Sequence, residues 1–119
     1  IGIKKNLKKT IQLTKKNKKI TVNLAINYGS KNEILNALKK SKNKINLNSI
    51  ENNLFTKRMP NPDILIRTGG HCRLSNFLLW QLAYSELFFL KKLWPDFNSK
   101  DLKKVISKFK STKRNFGGI

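Results

Sequence analysis

Cysteine and histidine are almost missing from this chain. Cys72 is the single cysteine in 119 residues, so no disulfide can form within the chain, and a reducing, cytoplasmic setting suits it. His71 is the single histidine, and a zinc site needs three or four protein ligands, which sets zinc aside. No apolar run reaches the ~20 residues that a membrane-spanning helix requires. The longest candidate, Phe77 to Leu90, is interrupted by Gln81, Ser85 and Glu86. No secretory signal is visible at the N-terminus given, and there is no Walker-type phosphate loop and no nucleophile elbow around a serine. Carboxylates are scarce too, six against 26 lysines and arginines.

What is abundant is lysine, asparagine and isoleucine. The net charge of +20 invites a nucleic-acid reading, but its placement argues otherwise. Residues 1–60 carry a net +13, residues 99–119 a net +6, and the aromatic-rich centre, residues 61–98, only +1. Lysine, asparagine and isoleucine share AT-rich codons, so a biased genome is a sufficient cause. No specific nucleic-acid partner is expected. A basic surface still attracts diphosphates and anionic lipid headgroups, which implies a transient membrane-surface contact.

The pattern of apolar residues predicts an α/β chain. Ile3, Leu7 and Ile11 place a basic surface helix over residues 3–18. Alternation of Ile20, Val22, Leu24 and Ile26 predicts a strand over 20–27, and Ala25 on its other face suggests burial on both sides, as in a parallel sheet. Ser30 with Glu33 reads as a capping box opening a helix whose inward stripe is Ile34, Leu35 and Leu38. After a basic loop over 39–48, Ser49 is positioned to cap a short helix reaching about Phe55. Pro60 and Pro62 then force extended backbone. Asp63 to Arg67 predicts a second strand, Thr68-Gly69-Gly70 a turn, 75–84 a buried helix, and Glu86 to Phe89 a third strand. Asn98 or Ser99 caps a last helix with Leu102, Val105, Ile106 and Phe109 on one face. No linker divides the chain.

Chemistry concentrates between Pro62 and Phe97. Arg67, a glycine turn, Arg73 and Ser75 follow one another at the carboxyl end of a strand, where open α/β sheets place ligands. Two guanidiniums, a hydroxyl and a helix start form a plausible cradle for phosphate oxygens. The other reading pairs these arginines structurally with Asp63, Glu86 or Asp96; their position beside a glycine turn favours the cradle. Glu86 lies within an apolar run, so its carboxylate must be paired or hold a metal, and the residues alone leave those two open. Cys72, between His71 and Arg73, reads as an ordinary loop residue.

The segments Asp63 to Gly70, Arg73 to Gln81, Ala83-Tyr84, Glu86-Leu87 and Trp94 to Phe97 resemble the C-terminal signature of the cis-prenyltransferases, most closely the bacterial undecaprenyl diphosphate synthases. Asn23 to Gly29 is similar to an upstream motif of that family, and Arg114 with Phe116-Gly117-Gly118 to its C-terminal end. The resemblance covers nearly the whole chain. It implies a partial parallel sheet wrapped by helices, the C-terminal half of the family fold, with residues 1–119 forming part of one catalytic domain. It further implies a homodimer, located in the cytoplasm or peripherally at the inner membrane face. The implied reaction condenses isopentenyl diphosphate in cis onto farnesyl diphosphate, with Mg²⁺, to give the undecaprenyl diphosphate carrier of cell-wall synthesis. Arg67, Arg73 and Ser75 would hold isopentenyl diphosphate, and Glu86 would help bind the magnesium.

The family's aspartate, in an Asp-Gly-Asn-Gly-Arg-type motif, has no counterpart in this sequence. Ile1 in place of an initiating Met points the same way, to a processed chain or a piece, and the 119 residues alone are expected to be inactive. His71 stands where the family has glutamate, Ser30-Lys31 where it has Gly-Arg, and Asn115 where it has a second arginine. A non-catalytic subunit or decayed remnant of the family is the alternative, and a basic nucleic-acid-binding module comes after it.

Overall fold

The computed structural model describes residues 2–42 and 45–114. In chain order the elements are α1 (Gly2–Thr14), α2 (Ser30–Ser41), α3 (Leu47–Glu51), β1 (Ile64–Arg67), β2 (Glu86–Phe89), a 3-10 turn (Trp94–Asp96) and α4 (Ser99–Ser111). β1 and β2 pair in parallel, Ile64 opposite Glu86 and Arg67 opposite Phe89. Helices together with a small parallel sheet are the α/β class expected from the sequence.

Two predicted elements are absent. Residues 20–26 carry the alternation of a strand but join no ladder; among the described residues the sheet has two strands, β1 and β2. Ile20, Val22, Leu24 and Ile26 are 64–78% exposed, so both the hydrogen-bonding edge and the apolar face lack a partner. The helix predicted over 75–84 is replaced by a series of turns. Positive φ at Ser75 (49°), Asn76 (62°) and Leu78 (45°) takes the backbone out of the right-handed path within its first turn.

Capping chemistry sets the helix starts, and at α2 and α3 it lies one or more residues away from the sequence reading. α2 begins after Gly29, which makes no side-chain cap. Glu33, expected to reach back as a capping partner, turns inward and is fully buried. Ser49 does not open α3; Asn46 does, its side chain accepting from Ser49 N at 2.8 Å while Ser49 Oγ accepts from Asn46 N at 3.0 Å. At α4 the cap is Asn98, one of the two residues the sequence offered, and the same reciprocal arrangement joins it to Asp101. Asp101 also pairs with Lys92 at 2.8 Å, and that bond first, then the Asn98 amide, holds its carboxyl below the usual range.

The core is small. Ala37, Ile50 and Leu54 are buried where α2 meets α3, with Leu38 and Trp80 packed against them. Leu35, expected on the inward stripe, faces out. A radius of gyration of 17.0 Å exceeds the ~13.5 Å expected of a compact domain of this length, consistent with the unpartnered faces. Among the described residues, no helix is long and apolar enough to cross a membrane.

Candidate functional site

Arg67 is the last residue of β1, and the chain turns sharply after it. Gly69 and Gly70 take φ of 91° and 76°, which side-chain-bearing residues rarely adopt. Their N–H groups donate to Lys92 O and Leu90 O, both at 2.9 Å, so the turn is tied to the segment leaving β2. The loop then brings Arg73 and Ser75 back over the strand end. Arg67 Nη1 donates to Arg73 O and, at 3.0 Å, to Ser75 Oγ. Arg67, Arg73 and Ser75, with Thr68, line an open cavity of about 370 Å³.

The alternative pairing of these arginines is not what the structure contains. Asp63 pairs instead with Arg114 at 2.8 Å. Among the described residues neither Arg67 nor Arg73 forms an ion pair. Two arginines lining a cavity whose other walls are Leu65, Ile66, Thr68, Leu74, Ser75 and Phe77, with no carboxylate among them, leave positive charge available to an anion.

Behind this loop sits a polar scaffold that the sequence did not reveal. Glu33 accepts from Tyr28 Oη, from Phe55 N at 2.8 Å and from Gln81 Nε2 at 3.1 Å. Gln81 also donates to Thr56 Oγ1 at 2.8 Å. One buried carboxylate thus joins α2, the segment after α3 and the turns over 77–82. Burial, and then the bond to Glu33, pushes the Tyr28 hydroxyl up to about 12. In the sequence only the Ser30–Glu33 spacing hinted at Glu33, and it pointed to a cap rather than a buried acceptor.

Glu86 is placed elsewhere. It opens β2 opposite Ile64, while Arg67 closes β1 opposite Phe89. Three residues of strand separate them, about 10 Å along the sheet. Glu86 is half-buried and its carboxylate makes no hydrogen bond or ion pair among the described residues. It therefore offers one hard oxygen ligand. Among the described residues, no group of three or more His, Cys, Asp or Glu could complete a cation site from protein atoms. Any magnesium would have to take its remaining ligands from a diphosphate, water or residues beyond these.

Comparison with known proteins gives the same answer from sequence and from fold. The prenyltransferase model of the undecaprenyl diphosphate synthase family matches residues 2–117. The isoprenyl transferase of Rickettsia typhi is 44% identical, over 98% of this chain and 53% of that protein. The chloroplastic nerylneryl diphosphate synthase of Solanum lycopersicum is 47% identical, over 99% of this chain and 43% of that one. Among solved structures, lavandulyl diphosphate synthase from Lavandula x intermedia, in complex with dimethylallyl diphosphate, superposes with a TM-score of 0.90 at 33% identity, covering 97% of this chain and 54% of that one. A probable undecaprenyl diphosphate synthase from Campylobacter jejuni gives 0.84 at 34% identity, covering 98% and 57%. The chain spans about half the length of the relatives it matches.

Proposed function

The chain belongs to the undecaprenyl diphosphate synthase family of isoprenyl transferases, and on that premise we propose that its Arg67–Ser75 loop is the isopentenyl diphosphate site of a cis-prenyltransferase. Arg67 and Arg73 bind the diphosphate oxygens, and Ser75 adds a hydroxyl donor. The observation that carries this reading is the pair of guanidiniums, unpaired among the described residues, flanking a glycine turn at the carboxyl end of β1.

The task of these residues is positional and electrostatic. They hold the homoallylic end of isopentenyl diphosphate near the allylic carbon of farnesyl diphosphate and offset the charge of the diphosphate. When bound, magnesium supplies Lewis-acid neutralisation of diphosphate charge. Glu86 is the carboxylate of this chain proposed to face that ion, with its other ligands coming from the diphosphate, water and residues outside this chain. The product proposed is the undecaprenyl diphosphate lipid carrier of cell-wall synthesis, made by a cytoplasmic homodimer that touches the inner membrane face through its basic surface. Residues 1–119 are proposed as the C-terminal portion of the catalytic domain and as inactive without the allylic half-site.

Titration with isopentenyl diphosphate tests the site directly. The chain is expected to bind it, and Arg73→Ala to weaken binding by roughly 10- to 100-fold, the loss of a charge-assisted hydrogen bond pair. Equal affinity of Arg73→Ala and the parent chain overturns the assignment. Product from labelled isopentenyl diphosphate on the 119-residue chain overturns the claim that it is inactive alone.

A further inference from the structure

Helix α2 begins without a cap of its own. Gly29 stands at its N-cap and offers no side chain, so the first N–H groups need acceptors from elsewhere. Asn76 supplies two from across the chain. Its carbonyl oxygen accepts from Ser30 N at 2.8 Å, and its Oδ1 accepts from Lys31 N at 2.9 Å. Ser30 returns a bond, its Oγ accepting from Leu79 N at 2.9 Å. The approach is close: a Cβ built on Gly29 would stand 2.8 Å from Asn76 Nδ2.

These bonds bracket the left-handed stretch in which Ser75 and Asn76 carry φ of 49° and 62°. Residues other than glycine hold such angles where the surroundings over-determine them, and asparagine tolerates them better than most. The same stretch decides where Ser75 Oγ lies, and Ser75 Oγ accepts from Arg67 at 3.0 Å.

We propose that Asn76 is a positioning residue for the anion cradle: by capping α2 from outside, it locks the left-handed turn that sets Ser75 against Arg67. It acts through the backbone of its neighbour. The helix start and the cradle are therefore one unit, built before an anion arrives. The proposal rests on the reading of that cradle as a diphosphate site.

The test uses the 119-residue chain, inorganic pyrophosphate as the probe, and amide exchange and resonance positions read by NMR. Asn76→Gly keeps the backbone free to adopt positive φ but removes the Oδ1 acceptor. Asn76→Asp keeps an acceptor. In Asn76→Gly the Lys31 amide is expected to exchange about fivefold faster, the loss of one cap. The Ser75 amide resonance moves, and pyrophosphate binds about fivefold more weakly, by the same loss. In Asn76→Asp the Lys31 amide stays protected. Gly29→Ala, which crowds Asn76 from the other side, is expected to displace the Ser75 resonance as well, and it serves if the first variant does not fold. An unmoved Ser75 resonance and unchanged pyrophosphate affinity in Asn76→Gly, or an unmoved Ser75 resonance in Gly29→Ala, overturn the proposal. If the parent chain does not bind pyrophosphate, the diphosphate reading fails instead, and the Lys31 and Ser75 amides still decide the positioning role.

Discussion

Two stretches of this chain carry equally clear strand patterns and meet different fates. Residues 64–67 and 86–89 pair in parallel and are mostly half-buried. Residues 20–26 alternate as regularly, yet lie unpaired with their isoleucines, valine and leucine in solvent. What differs is not propensity but partnership. A strand is stabilised by hydrogen bonds and side-chain contacts from a neighbour distant in sequence, and only β1 and β2 have one among the described residues. The lesson extends to the helices. α1 has an apolar stripe and no buried residue, whereas α2 is fixed at its start by Asn76 and along its inner face by Glu33 and Ala37. The region from Tyr28 onward is cross-linked around the candidate site. The region before it is tied far more sparsely, by the bond from Asn23 Nδ2 to Met59 Sδ.

Stability measurements can break this contrast most decisively. Glu33→Ala removes the shared acceptor of Tyr28, Phe55 and Gln81, stranding one buried donor on Gln81 and two part-buried ones. It is expected to cost about 3 kcal/mol or more in chemical denaturation. Val22→Ala, in the unpartnered region, is expected to change stability by no more than ~0.5 kcal/mol. Comparable costs at the two positions would mean that residues 20–26 are not free in solution.

Membrane association separates the same two regions by charge. Lys4, Lys5, Lys8 and Lys9 lie on α1, which presents Ile3 and Ile11 to solvent beside them. Replacing each with glutamine should weaken co-sedimentation with phosphatidylglycerol vesicles at low salt by ~1 kcal/mol per lysine. No loss on removing all four would place the membrane contact elsewhere or rule it out.

The smallest effect concerns Tyr28, at the boundary. Its hydroxyl is raised from 10.0 to about 12 by burial first and by the Glu33 bond second. Ionisation is therefore easier in the unfolded chain. The associated stability is fully present below pH 10 and is lost as the pH climbs towards 12. An ultraviolet phenolate titration should show one tyrosine with this late midpoint, and Glu33→Gln should bring it down. A midpoint near 10 in the parent chain would mean that the Glu33 network is not formed.

Much of the site could be read in the residues themselves. Arg67, the glycine pair, Arg73 and Ser75 follow one another within nine positions, so local geometry alone confines them to one loop. The cap of α4 was narrowed to Asn98 or Ser99, because a helix cap is a local contact. Glu86 was harder to place: its apolar neighbours showed that it needed a partner, but not that Arg67 would lie at the opposite end of the neighbouring strand. Asn76 escaped notice for the same reason. Its bonds run to Ser30 and Lys31, more than forty residues back, and no periodicity encodes that distance.

By itself, then, the sequence determined the order of chemical groups, the parallel α/β class and the family. Each of these rests on short-range pattern or on matching motifs. Only the tertiary structure decided that 75–84 forms turns, with left-handed residues in its first four positions, rather than a helix, that Glu33 is a buried acceptor rather than a cap, and that residues 20–26 join no ladder among the described residues. Those outcomes depend on which distant groups arrive to satisfy a backbone N–H or cover an apolar face, and such meetings are settled only when the chain packs.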